Sequence, residues 1–162
     1  MRIAGVLLLL AVVFYGWRWL SSPSPPSAEK LAGVALSGAP DERQEAALML
    51  IALGDRAVPL MRRVLQQSKA PEVRAAMIQG LIGQYDYLSM PAILDGLDDE
   101  SLLVRTRAAP AVQNLLCLAV AYSPNDPPEK RREVVKACHQ RWETMLKSPR
   151  MKAKLAAAQS PN

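Results

Sequence analysis

Downstream of residue 40 the apolar positions fall at i, i+3, i+4 and i+7, one face of a helix, and the pattern returns at an even interval set by Arg43, Arg74 and Arg105. Its three copies are Arg43-Gln44-Glu45-Ala46-Ala47-x-x-Leu50, Arg74-Ala75-Ala76-Met77-Ile78-x-x-Leu81 and Arg105-Thr106-Arg107-Ala108-Ala109-x-x-Val112. A second apolar segment follows the first two copies: Ala57-Val58-Pro59-Leu60-Met61-x-x-Val64-Leu65, then Met90-Pro91-Ala92-Ile93-x-x-Gly96-Leu97. The repeating unit is therefore a helix pair. A single pair cannot bury its own apolar face, so stacking of successive pairs is expected.

Turn chemistry places the elements. Leu31, Val34 and Ala35 mark a half-repeat over 28–36 that stops at Gly38-Ala39-Pro40. Asp41 is expected to cap the next helix with Gln44 completing a capping box, Ala46, Ala47, Leu50, Ile51 and Leu53 form its stripe, and Gly54 ends it. Asp55 then opens a partner helix over 56–67. Pro71 suits a first helical turn, and Val73, Met77, Ile78, Leu81 and Ile82 run up to Gly83. A short partner helix from Ser89 to Leu97 follows, with Gly96 weakening it. Asp98-Asp99-Glu100-Ser101 supplies negative charge and a cap for a helix from Leu102 to about Ala121, which Pro110 is expected to kink. Val134, Val135, Cys138, Trp142, Met145 and Leu146 make the stripe of a last helix that caps the array, with Trp142 as its chief docking side chain.

These phrases resemble bacterial HEAT-like repeats of the PBS-lyase type, whose units join a Val-Arg-x-x-Ala-Ala-x-x-Leu helix to a Val-Pro-x-Leu helix. Val73-Arg74 and Val104-Arg105 match, Glu42-Arg43 departs from the first position, and Met77-Ile78 replace the usual small pair. The segment Tyr122-Ser123-Pro124-Asn125-Asp126-Pro127-Pro128-Glu129 and the helix bearing Trp142 are similar to a terminal segment that closes some of these arrays. The resemblance implies an all-α fold, a short right-handed α-solenoid of antiparallel helix pairs, acting in protein–protein interaction with no catalytic residues.

Ahead of the repeats, Ile3 to Trp17 is uncharged, and Trp19-Leu20 prolong the apolar run past Arg18. A spanning helix takes about 20 apolar residues, so residues 3–20 suffice if Arg18 snorkels, and Tyr15, Trp17 and Trp19 suit the interface. A cleaved signal peptide and a secreted domain form the alternative, against which the bulky residues before Ser21 argue. Arg2 favours a cytoplasmic N-terminus with the helical domain outside the cytoplasm, in the periplasm. The expected organisation is a signal-anchor over 1–20, a Pro/Ser-rich tether over 21–27, a helical domain over 28–147 and a basic flexible tail over 148–162.

Charge refines this picture. The chain carries a net +5, and residues 122–162 hold nine basic side chains against four acidic. Lys130, Arg131, Arg132, Lys136 and Arg141 are thus candidates for contact with an anionic surface, headgroups before nucleic acid. His139 has no companions at metal-ligand spacing and no His-Glu iron motif is present, so no metal or cofactor is expected. Cys117 and Cys138 are expected as small buried side chains, a disulfide being the lesser alternative.

Aligning Pro59 with Pro91 leaves Leu60, Arg62, Arg63, Leu94 and Asp95 outward as a candidate partner-binding patch, the alternative being that either leucine packs against a neighbouring repeat. The expected function is a membrane-anchored scaffold or adaptor without catalysis. The alternative is an enzyme-accessory or nucleic-acid-binding domain using the basic C-terminal helix.

Overall fold

The structure, a computed structural model, describes residues 25–116 and 121–159. Among them the fold is all-helical, with eight α-helices and no strand: α1 (Ala28–Ser37), α2 (Pro40–Ala52), α3 (Val58–Gln67), α4 (Pro71–Gly83), α5 (Met90–Asp95), α6 (Leu102–Leu116), α7 (Pro128–Leu146) and α8 (Pro149–Gln159). The expected anchor, most of the tether and residues 117–120, Cys117 among them, lie outside the described residues, and Ala121, the expected end of α6, is not helical. No described helix is long and apolar enough to cross a membrane.

Proline sets the starts. Pro40, Pro71 and Pro128 each occupy a first helical position, where the missing N–H is no loss and the fixed φ favours the helix. The expected Asp41 and Gln44 capping box does not form, because the helix starts at Pro40 with Ala39 as its cap, two residues earlier. Instead the Glu42 carboxylate reaches back to the Ala39 N–H at 3.0 Å. The partner helices begin in 3-10 turns, Gly54–Ala57 before α3 and Tyr87–Ser89 before α5. Helix α6 continues through Pro110.

Packing follows the repeat. Helix α2 packs on α4 and α4 on α6; α1 covers α2 and α3; α3 lies on α4; α5 lies on α6 and α7. Leu50, Met61, Val64, Met77, Ile78, Leu81, Ile93 and Val104 join one continuous core. Gly96 has a positive packing role: a Cβ there would lie 3.0 Å from Ile78 Cδ1 and 3.2 Å from Ala108 Cβ, so its absence lets three helices meet. On α7 the buried side chains are Cys138 and Trp142, one turn apart.

The C-terminal segment corrects the expectation of a flexible tail. Ser148 Oγ accepts the Met151 N–H at 3.3 Å, Pro149 follows the cap, and α8 forms. Met151 is buried and Leu155 half-buried, while Lys154 Nζ donates to the Tyr87 hydroxyl at 2.7 Å and lies 4.4 Å from its ring centroid. An apolar stripe of Met151 and Leu155 alone is too short to stand out in a basic segment, yet Ser148-Pro149 was a usable start signal.

Candidate interaction surface

The repeated arginines are structural. Each stands at the fourth position of its helix and folds back onto carbonyls of the preceding loop. Arg74 Nη1 donates to Ser68 O at 3.3 Å and Lys69 O at 2.8 Å, and Arg105 Nη1 to Asp99 O at 2.8 Å and Glu100 O at 2.9 Å. Arg43 makes a longer contact of this kind, 3.4 Å to Gly38 O. The free side of each fork reaches the next unit: Arg43 to Glu72 at 3.2 Å, Arg74 to Asp99 at 2.8 and 2.9 Å, Arg105 to Pro124 O at 2.7 Å. Arg43 Nε is buried without a partner.

Arg131 is a fourth member of this series. Its Nη1 donates to Asp126 O at 2.9 Å and its Nε to Asp98 at 2.8 Å, tying α7 back to the loop before α6. The even spacing of Arg43, Arg74 and Arg105 hides it, since it follows Arg105 sooner than that interval predicts. The proline signal does not: Pro128 precedes Arg131 as Pro40 precedes Arg43 and Pro71 precedes Arg74.

Arg131 is accordingly withdrawn from the candidate anionic contacts. The other four do not form one stripe. At about 100° per residue, Lys130 and Arg141 fall on one flank of α7 and Arg132 and Lys136 on the other, with Glu129, Glu133 and Glu143 between or beside them. Lys130 pairs with Asp126 at 3.0 Å and Arg132 with Glu129 at 3.2 Å. All four remain exposed.

The expected partner patch also changes. Leu94 is fully buried, not outward: α7 packs on α5, so the side that carries Arg62 in α3 faces the interior in α5. Arg62 is engaged by Asp86, through Nε at 2.7 Å and Nη2 at 2.5 Å. Leu60 is half-buried against the core. Arg63 pairs with Glu29 at 2.6 Å in an exposed contact, and Asp95 is 70% exposed with its carboxylate 2.8 Å from His139 Nε2. Of the five, Arg63 and Asp95 present the most exposed polar groups, on different helices, while Arg62 keeps about a quarter of its side chain exposed beside Asp86.

What the structure brings together instead is a groove between α3 and α5. Leu65, Ile78 and Val104 lie under its floor, 7%, 0% and 1% exposed, the Arg74 and Asp99 pair lies beside them, and Gln66, Ala92 and Asp95 stand along the walls. Gln66 and Asp95 are exposed, so the opening has a polar rim over an apolar interior. No periodicity of one helix announces it, because the walls come from separate repeats.

Electrostatics concentrate at Asp86. Burial opposes ionisation of its carboxyl, but hydrogen bonds from Arg62 and Ser89, the Arg62 charge and the Leu88 backbone outweigh it and hold the group below the ordinary carboxylate range. Burial pushes the Cys138 thiol up. It also raises the Tyr122 phenol, whose hydroxyl donates to Leu97 O at 2.6 Å and so anchors the segment before α7. Among the described residues no group of three or more His, Cys, Asp or Glu side chains is arranged to hold a metal ion.

Comparison with protein-family models, with curated proteins and with solved structures finds no match.

Proposed function

We propose that this chain is a short right-handed α-solenoid of HEAT-like helix pairs, held to a membrane by residues 3–20, that receives a segment of another protein in the groove between α3 and α5. It acts as a scaffold or adaptor and carries out no catalysis of its own. The observation that supports this reading is the groove itself: buried Leu65, Ile78 and Val104 inside, exposed Gln66 and Asp95 outside, on a frame fixed by the Arg74 and Asp99 pair. An apolar interior with a polar rim is the form of a protein-recognition site. Asp95 favours a basic residue flanking the apolar anchor of the incoming segment. The domain stands on the far side of the membrane from a cytoplasmic N-terminus.

The alternative of nucleic-acid binding has less support, since Arg131 is occupied within the fold and the remaining cations of α7 lie on two flanks interspersed with glutamates.

The test is Ala92→Arg, which fills the groove from a half-buried wall position without touching the core helices' buried faces. Partner recovery from membranes after crosslinking should fall while thermal unfolding is unchanged. Undiminished recovery with an intact fold would mean that the groove is not the binding surface.

A further inference from the structure

The helices run alternately between two edges of the array. Ser37 and Gln67, at the ends of α1 and α3, meet Arg43 and Ala70, at the starts of α2 and α4, around one opening. Gln66 and Asp95, near the ends of α3 and α5, likewise share the groove with Arg74 and Asp99. These contacts define the edge that carries the repeated arginines. Pro26, ahead of α1, lies instead with Met49, near the end of α2. The second edge therefore collects the starts of α1, α3 and α5. Helix α7 runs towards it, since Arg131 meets Asp98 and His139, about two turns on, meets Asp95. Helix α8 then closes over Tyr87, just ahead of α5, through Lys154. Three features come together there. Ser27 Oγ accepts the Lys30 N–H at 3.2 Å, which fixes the point where the chain enters α1. Lys147, Arg150 and Lys152 are exposed and have no ion-pair partner among the described residues, and no acidic side chain follows Glu143. Tyr85, two residues before Tyr87, is 70% exposed with φ at 52°.

We propose that this second edge rests on the anionic headgroups of the bilayer that residues 3–20 enter, with Lys147, Arg150 and Lys152 on the lipid phosphates and Tyr85 at the headgroup boundary. The inference rests on the membrane anchor of the proposed function. Between Leu20 and Ser27 a fully extended chain spans at most about 25 Å, so the entry edge stands close to the surface. Helix α8 is displaced from that entry by the spacing of α1, α3 and α5, about 10 Å per step, which keeps it within the same reach. Exposed cations are drawn to an anionic leaflet within a Debye length, an effect of about fivefold in affinity for each side chain. A phenol ring, apolar in body and polar at its tip, suits the same boundary. That gives the strained Tyr85 a use which packing inside the fold does not supply. The groove between α3 and α5 opens beside the arginine edge, so docking of the second edge leaves it facing away from the bilayer.

The test uses the full-length chain with a fluorescent amino acid in place of the exposed Ala153 of α8. It is reconstituted into vesicles of phosphatidylcholine alone, or of phosphatidylcholine with an equal part of phosphatidylglycerol, with a quencher on the lipid headgroups. Quenching should be strong in the anionic vesicles, weak in the neutral ones and lost in about 1 M salt. Arg150→Gln and Lys152→Gln should each lower the ratio of docked to undocked edge about fivefold. Tyr85→Gly should lower it while raising the melting temperature, and Arg132→Gln with Lys136→Gln, on a flank of α7, should leave it unchanged. Equal quenching in both vesicles, or quenching indifferent to Arg150→Gln and Lys152→Gln, overturns the proposal. No quenching in either, with residue 153 crosslinking to a protein in native membranes, overturns it too and assigns the cations to an acidic partner. Flotation with the neutral vesicles reads the anchor separately. A chain that fails to float there loses the anchor, and flotation with the anionic vesicles that Arg150→Gln and Lys152→Gln abolish would still establish the lipid contact of the edge.

Discussion

Tyr85 holds the left-handed backbone position that Gly54 holds one repeat earlier: φ is 52° at Tyr85 and 63° at Gly54, and the two are separated as Arg43 is from Arg74. The conformation lets the Asp86 N–H reach back to Leu81 O at 3.0 Å and close the end of α4. A tyrosine is strained there where glycine is not, and its ring, 70% exposed, gains little packing in return.

Tyr85→Gly should therefore stabilise the fold by about 1 kcal/mol, the left-handed penalty of an L-residue less the added chain entropy of glycine. Thermal unfolding followed by circular dichroism checks this. A lowered melting temperature would show that the ring packs in a way that its exposure does not reveal.

Asp86 gives the fold an acid-sensitive joint between α3 and the turn before α5. Its carboxyl ionises more readily in the folded chain, so its contribution is complete above the unfolded carboxylate value of about 3.9 and is lost as pH falls through the lower folded value. Asp86→Asn should cost about 1.5–3 kcal/mol at neutral pH by weakening the charge-assisted bonds to Arg62. The gap between the two proteins in urea unfolding should be constant above pH 5 and narrow below pH 4. A gap that widens in acid contradicts the assignment.

The arginine series makes a graded prediction. Arg74→Lys keeps the charge but loses the fork that holds Asp99 through two atoms and two loop carbonyls, and should cost about 2–3 kcal/mol. Arg43→Lys should cost less, because Arg43 makes one ion pair at 3.2 Å and one carbonyl contact at 3.4 Å. Equal melting shifts in the two variants would show that the bonding pattern does not set the stability of the joints.

Those residues also show what was legible beforehand. The helix pairs were, because Ala46, Ala47, Leu50 and Val73, Met77, Ile78, Leu81 obey one helical period and lie in the core. The starts at Ala28, Pro71 and Leu102 were legible from the onset of the apolar stripe, the first-turn proline and the acidic cap, whereas at Pro40 Asp41 misled because a cap residue and a first-turn residue look alike in sequence. Leu94 was misplaced because aligning Pro59 with Pro91 assumes equal surroundings, whereas α7 covers α5. Neither the groove nor Asp86 with Arg62 was visible, since both depend on side chains from different repeats. Arg131 looked like surface charge because composition counts cations without saying which ones bend back to a carbonyl.

The docking of α8 is testable by limited trypsin digestion. With Met151 buried and Lys154 over Tyr87, cleavage after Arg150 and Lys152 should be slow in the native chain. Met151→Asp should release the helix and make cleavage fast while the core stays folded. Equally fast cleavage of the unaltered chain would restore the flexible tail.

The most direct test of the account is a photocrosslinking map in intact membranes, with a photoreactive side chain placed singly at residues 66, 92, 136 and 141. Crosslinks to one protein should arise from 66 and 92, the groove walls, and not from 136 and 141 on the outer flanks of α7. Crosslinks to protein or nucleic acid from 136 and 141, with 66 and 92 silent, would contradict it.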